Sequence, residues 1–231
     1  MGQSSQSDLL RAERVSRIFG KGKDAVHALK GASLCVKPGQ LIALKGRSGS
    51  GKTTLLNILA ALDEPTEGEV FYNGMRVSAM SDKQKNELRR REIGLIFQSF
   101  ALVPYMSAYE NVEFGLRIAG IQPSQRKQLA EEALGFVGLE KRMHHRPSEL
   151  SGGEQQRTAI ARAIAHKPKL VLADEPTAEL DTKMGLQVIR LFRKLVEQQG
   201  ISVVMTTHDP AIMEIVDRVY ALEDGQIVEA E

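Results

Sequence analysis

GRSGSGKTT, residues 46–54, follows the apolar stretch QLIALK (40–45) and leads into the apolar run TLLNILAAL (54–62). Strand, loop and helix in that order fit the pattern G-x-x-x-x-G-K-[ST], whose loop cradles the phosphates of a nucleoside triphosphate. The residue types follow from the chemistry. Gly46, Gly49 and Gly51 open backbone angles closed to other residues, so that successive N–H groups converge on phosphate oxygens. A helix starting near Gly51 adds its positive N-terminal end. Lys52 supplies a compact charge for the β- and γ-phosphates and the Thr53 hydroxyl a ligand for Mg²⁺, while Ser48, Ser50 and Thr54 complete the candidate contacts. This stretch predicts an α/β protein built around a phosphate loop.

Composition bounds the alternatives. The 231 residues are 42% hydrophobic, which supports a sizeable core. Against 31 Lys and Arg stand 29 Asp and Glu, a formal net charge of +2, which gives no support for a nucleic-acid partner. Cys35 is the single cysteine, so an intrachain disulfide and a cysteine-based zinc site are excluded; its setting, ASLCV, predicts a buried small hydrophobe. The N-terminus, MGQSSQSDLLRAERV, has no apolar signal core, and Gly2, Ser5 and Gln6 match an acylation signal only loosely. No apolar run approaches the ~18 residues that cross a bilayer, so membrane contact is expected only through a partner.

No internal repeat is visible, which leaves one nucleotide-binding unit per chain. Strands are predicted over 10–19, 25–36 and 41–45, the last entered by a Pro38-Gly39 turn. Asn73-Gly74 between 69–72 and 75–77 is a type I′ hairpin signal. A polar helix over 82–91 leads to strand IGLIF (93–97). From Ser99 to about Glu149 the pattern is helical, with Ser107 and Glu110 as a capping box and Pro123 opening a helix through Phe136. The last third alternates strand 170–173, helix 183–199, strand 202–207, a short helix, strand 218–222 and, after Asp224-Gly225, a closing strand. Short apolar strands separated by helices imply a parallel sheet covered on both faces.

LVLADE (170–175) is an apolar strand that ends in two carboxylates at the sheet edge where open α/β folds bind ligands. Asp174 is a candidate for the Mg²⁺ shell and Glu175 for polarising the attacking water. LSGGEQQR (150–157) is more discriminating. Ser151 and Glu154 form a capping box for a helix running toward Pro168, and Gly152 and Gly153 at its mouth expose N–H groups for a second anion.

Together, in this order and spacing, GRSGSGKTT, LSGGEQQR and LVLADEP resemble the ATPase subunit of ATP-binding cassette (ABC) transporters over nearly the whole chain. The resemblance implies a single cassette over 1–231: a mostly parallel, RecA-like core, an antiparallel β lobe with the phosphate loop within 8–78, a helical lobe over 99–150, and the signature helix with the remaining core over 151–231. It implies ATP and Mg²⁺, and a second copy bound head to tail, so that Ser151, Gly152 and Gly153 touch the nucleotide held by the partner's loop. Gln98 corresponds to the glutamine that senses Mg²⁺ and the attacking water, His208 to the switch histidine at the γ-phosphate, and Asp181 to the loop that crosses the dimer interface. Phe19 stands where the family places an aromatic on adenine, although a core position fits a strand end equally. Glu154 replaces the commoner glutamine, and Ala178-Glu179 replaces smaller or amide residues. Neither change removes a catalytic group.

AVHALKGASL, TLLNILAALDEPTEGEV and EIGLIFQSFALVPYMSAYENV resemble one bacterial branch, which includes lipoprotein-release, macrolide-export, peptide-resistance and cell-division ATPases. Membership implies an integral-membrane permease with few membrane helices and a large extracytoplasmic domain, and a cytoplasmic location on the inner face of the cell membrane. Phe100, Leu102, Val103, Tyr105 and Met106 are candidates for a groove that receives the permease, with packing inside the helical lobe as the alternative. Two other functions stay open at this point: ATP cycling that regulates cell division, wall hydrolysis or peptide sensing without transport, and a soluble ATPase acting on ribosomes or DNA. The second fits poorly with one cassette and no coiled-coil or zinc insertion.

Overall fold

The structure, a computed structural model, describes residues 8–209 and 212–230. The N-terminal readings at Gly2, Ser5 and Gln6 lie outside them. Part of the short helix expected after strand 202–207 does too.

The phosphate-loop strand lies inside the larger sheet. β1 (Leu10–Phe19), β2 (Val26–Val36), β3 (Leu41–Lys45), β4 (Glu67–Tyr72), β5 (Met75–Arg76), β6 (Ile93–Ile96), β7 (Leu170–Ala173), β8 (Ser202–Thr207), β9 (Arg218–Glu223) and β10 (Gln226–Ala230) form two sheets. The six-stranded one has the order β10-β9-β3-β8-β7-β6. It is parallel from β6 through β9, with β10 antiparallel at one edge. The smaller sheet, β2-β1-β4-β5, is antiparallel. Asn73 and Gly74 join β4 to β5 with φ of 47° and 75°, the positive values that a type I′ turn requires.

Because successive strand residues point to opposite faces, each parallel strand feeds two cores. Leu41, Ala43, Val171, Ala173, Val203 and Met205 are buried with α3 (Ala108–Ile118), α4 (Pro123–Phe136), α5 (Gly152–Ile164) and α6 (Thr182–Gln199). Ile42, Leu44, Leu170, Leu172 and Val204 are buried with α1 (Lys52–Leu59) and the antiparallel sheet. The continuous apolar runs seen in the sequence are the signature of strands covered on both sides.

Helix starts are locally encoded. Ser81, Ser107 and Ser151 each accept a hydrogen bond from the backbone three residues on, and Gln84, Glu110 and Glu154 return one, completing capping boxes for α2 (Asp82–Glu92), α3 and α5. Three expectations change. Residues 99–107 are not helical: Phe100 and Ala101 take φ of 40° and 50°, and helix begins only at Ala108. The apolar residues here are clustered without a helical period, so the helical pattern expected from Ser99 onward does not extend to this stretch. Cys35 is half-buried and not a plain core residue: its Sγ accepts from Arg218 Nη1 at 3.5 Å and lies 3.7 Å from the Tyr220 hydroxyl. α5 also ends at Ile164, short of Pro168, and Lys167 has φ 56°.

Candidate nucleotide-binding site

The phosphate loop sits at the C-terminal end of β3 and is held by the close approach of other backbone. A Cβ on Gly46 would stand 2.4 Å from the Leu222 carbonyl oxygen and 2.6 Å from Ser50 Oγ. Gly51, the residue before α1, has φ 103°, and a Cβ there would lie 2.4 Å from the Ala28 carbonyl oxygen. Packing therefore demands glycine at both positions, while the glycine-favouring positive φ expected along the loop is found at Gly49 and Gly51 and not at Gly46.

Lys52 is 5% exposed, and its Nζ donates to the carbonyls of Gly46 at 2.8 Å and Arg47 at 3.1 Å. It also lies 3.6 Å from Glu175 Oε1. An ammonium this buried is stable only when its charge is met. Ser50 Oγ is buried beside it with no protein partner among the described residues. Lys45, Gly46, Arg47, Ser48, Gly49, Ser50 and His208 line, with Met213 and residues 221–224, a cleft of about 650 Å³. Glycine-opened N–H groups, a buried cation and an unpartnered hydroxyl suit a polyphosphate.

Beside the loop, Asp174 Oδ1 accepts from Thr53 Oγ1 at 3.2 Å and from Thr206 Oγ1 at 2.8 Å. The Asp174 amide donates to the Ile96 carbonyl at 2.9 Å, which ties the end of β7 to β6. Gln98, two residues beyond Ile96, is exposed. Asp174, Thr53 and Gln98 are oxygen donors of the kind Mg²⁺ selects. Among the described residues no group of three or more His, Cys, Asp or Glu is placed to hold a metal. A divalent ion at Asp174 would thus need phosphate oxygens, the usual habit of Mg²⁺ in nucleotide sites.

Glu175 has φ 41°, a left-handed conformation that costs a non-glycine residue about 1–3 kcal/mol and that clusters at functional sites. Its Oε2 lies 4.0 Å from His208 Nδ1. The histidine is 71% exposed. A second cleft, about 370 Å³, joins Glu175, Asp181 and His208. Asp181 also caps α6, accepting from the Met184 amide at 2.9 Å.

The signature residues stand apart. Ser151 is exposed at the start of α5, Gly152 is partly exposed, and Gly153 is buried under Met184, whose Cε would lie 2.1 Å from a Cβ there. None of them lines either cleft. The Ser151 amide and hydroxyl donate to Glu154 Oε2 at 2.8 and 3.0 Å, which holds that carboxyl below its ordinary range. Phe19 is 42% exposed, which excludes the core alternative. The Arg17 guanidinium lies 4.5 Å from its ring centroid.

Two buried polar residues at this site escaped the sequence reading. Thr206, fully buried, contacts both acidic residues: besides its bond to Asp174, its oxygen accepts from the Glu175 amide at 2.7 Å. Gln156, also fully buried, donates to the Pro176 carbonyl at 2.6 Å and so links α5 to the loop after Glu175. A signal existed for the first, since two threonines end a strand whose preceding residues, Val203 to Met205, are apolar.

The family model described as ABC transporter matches residues 29–178. The chain is 42% identical over 221 residues to the lipoprotein-releasing system ATP-binding protein LolD 1 of Rhodospirillum rubrum, covering 96% of this chain and 98% of that one. It is 45% identical to the macrolide export ATP-binding/permease protein MacB of Wolinella succinogenes, covering 96% of this chain but 34% of the relative, so it spans about a third of that protein's length. Its structure superposes with a TM-score of 0.87 and 39% identity on a dimeric ATP-binding cassette of Methanocaldococcus jannaschii in a post-hydrolysis state with ADP and Pi, covering 96% and 97% of the two chains.

Proposed function

The chain belongs to the ABC transporter family and is an ATP-hydrolysing cassette, and from that premise we propose that two copies close head to tail around two MgATP to drive a membrane permease. The observation that carries the catalytic half of this reading is the Lys52, Glu175, Asp174 and Thr53 constellation at one end of the parallel sheet. Lys52 exchanges its loop carbonyls for β- and γ-phosphate oxygens. Thr53, Asp174 and Gln98 hold Mg²⁺, which when bound neutralises phosphate charge. Glu175 orients the attacking water and takes up its proton, and His208 binds the γ-phosphate across from it.

The other half of each site comes from the second copy. Ser151, Gly152 and Gly153 of one subunit close on the ATP of the other, with Asp181 at the crossing. That assignment is supported by the exposure of Ser151 and by its absence from the chain's own clefts. Phe19, exposed at the end of β1, stacks on adenine.

The permease, carried on the same chain or a separate one, meets the helical part. Phe100, Leu102, Val103, Tyr105 and Met106 form its groove, which is supported by the absence of any of them from the core. Among the described residues no helix is long and apolar enough to cross a membrane, so contact with the bilayer runs through the permease, on its cytoplasmic side. Our reading assigns the activity to export or lipoprotein release, which the names of two relatives support, and gives the permease a large extracytoplasmic domain. Co-purification from detergent-solubilised membranes tests the reading. An integral protein that is retained by the wild type and lost with Tyr105→Asp is expected. Recovery only in ribosomal or nucleoid fractions would contradict it.

A further inference from the structure

One buried hydroxyl touches both acidic residues of the site. Thr206 lies on β8, between β3 with its phosphate loop and β7 with its carboxylates, and is 0% exposed. Its O–H donates to Asp174 Oδ1 at 2.8 Å, and its oxygen accepts the Glu175 N–H at 2.7 Å. A hydroxyl has one proton to give and lone pairs to receive, so the two bonds are compatible and each restricts the other. The first fixes the rotation of the Asp174 carboxylate that also meets Thr53. The second fixes the peptide plane between Asp174 and Glu175, at the residue whose φ is 41°. That peptide decides whether the Glu175 carboxylate faces Lys52 and His208, 3.6 and 4.0 Å away.

We propose that Thr206 is a positioning residue that couples the metal-binding carboxylate to the water-orienting one. A valine would fill the position equally well, since Val204, two residues back on the same face of the strand, is apolar and fully buried. The hydroxyl therefore serves the strand end and not the core. Removing it frees Asp174 to rotate and leaves the Glu175 amide without its partner, so metal affinity and turnover fall together while the phosphate loop is untouched. This rests on the proposed roles of Asp174 and Glu175.

The test uses the whole chain with Thr206→Val, Thr206→Ser and Asp174→Asn. Three quantities are read: the Mg²⁺ concentration for half-maximal ATPase, Mn²⁺ binding in the presence of a non-hydrolysable ATP analogue by electron paramagnetic resonance, and metal-free ATP affinity. Loss of an outer partner of a metal-binding carboxylate typically weakens metal binding roughly 10- to 100-fold. Thr206→Val should raise the half-saturating Mg²⁺ and the Mn²⁺ Kd by that order and lower kcat, with metal-free ATP affinity and melting temperature near wild type. Thr206→Ser, which keeps the hydroxyl, should restore both. Wild-type metal dependence in Thr206→Val, with Asp174→Asn strongly impaired, would overturn the proposal alone. Equal impairment of the valine and serine variants would make Thr206 a packing residue and also overturn it. A normal Asp174→Asn would sink the underlying reading instead.

Discussion

At the start of α1 the chain meets its own charges, whereas at the start of α5 it presents an exposed, already capped end. Lys52 Nζ is held by the Gly46 and Arg47 carbonyls and faces Glu175, and Gly46 and Gly51 admit no side chain. Among the described residues the Ser151 amide and hydroxyl bond only Glu154 of the same turn, its carbonyl accepts from the Gln155 amide within the helix, and the residue faces solvent. Both are glycine-flanked helix N-termini, and both suit an anion by the same dipole and N–H physics. Their difference teaches where the rest of each site must come from. The α1 end has a cradle and the proposed catalytic groups but an open side; the α5 end has a capped tip and lines neither cleft.

The largest expected effect breaks the α1 side. Glu175→Gln removes the proton acceptor while keeping the side chain's length, and should cut turnover roughly 10²- to 10⁴-fold with ATP affinity retained. A steady-state assay together with calorimetry reads both. Lys52→Ala comes next. Losing a charge-assisted contact of about 1.5–3 kcal/mol should weaken ATP binding roughly 10- to 150-fold without altering the circular dichroism spectrum. Normal affinity would contradict the phosphate-loop reading.

Gly46→Ala probes the packing that shapes the cradle. With the Leu222 carbonyl 2.4 Å from the new Cβ, about 1–3 kcal/mol of stability should be lost in chemical denaturation, along with ATP binding. Stability unchanged would mean that the loop is held loosely.

The smallest effect belongs to the α5 side. Glu154→Ala should cost about 0.3–1.5 kcal/mol, the range for one helix cap. Glu154 has its folded pKa below its unfolded one, chiefly through the bond from the Ser151 backbone. The stabilisation is therefore complete above the unfolded value and fades as pH falls through the folded one. Melting of the wild type should lose this increment below about pH 4.5, and Glu154→Ala should show none to lose.

Local rules made much of this legible. The strand before Gly46, the Asn73-Gly74 turn and the Ser107 and Ser151 caps each depend on residues within a few positions, and the structure places them as read. The two-faced burial of the parallel sheet followed from its unbroken apolar strands. Failures came where the deciding partner is distant. Cys35 looked like a core residue because Tyr220 and Arg218 are about 185 positions away in sequence. The partners of Thr206 are also distant in sequence, and only the pairing of β7 with β8 brings its hydroxyl to Asp174 and Glu175. The helical pattern expected from Ser99 fails over 99–107, where Tyr105 is 84% exposed and the segment follows a bent path with no helical stripe.

The head-to-tail division of labour is tested most directly at Ser151, in a Glu175→Gln background that lets ATP-bound dimers accumulate. Ser151→Asp keeps an oxygen that accepts from the Glu154 amide, though not the hydroxyl bond to the Glu154 carboxylate, while placing a negative charge where the partner's γ-phosphate would arrive. Calorimetry and sedimentation with ATP read the two halves separately. The expected result is ATP bound at unchanged affinity by a chain that stays monomeric. Loss of ATP affinity, with the melting temperature preserved, would place Ser151 in its own chain's pocket and contradict the account.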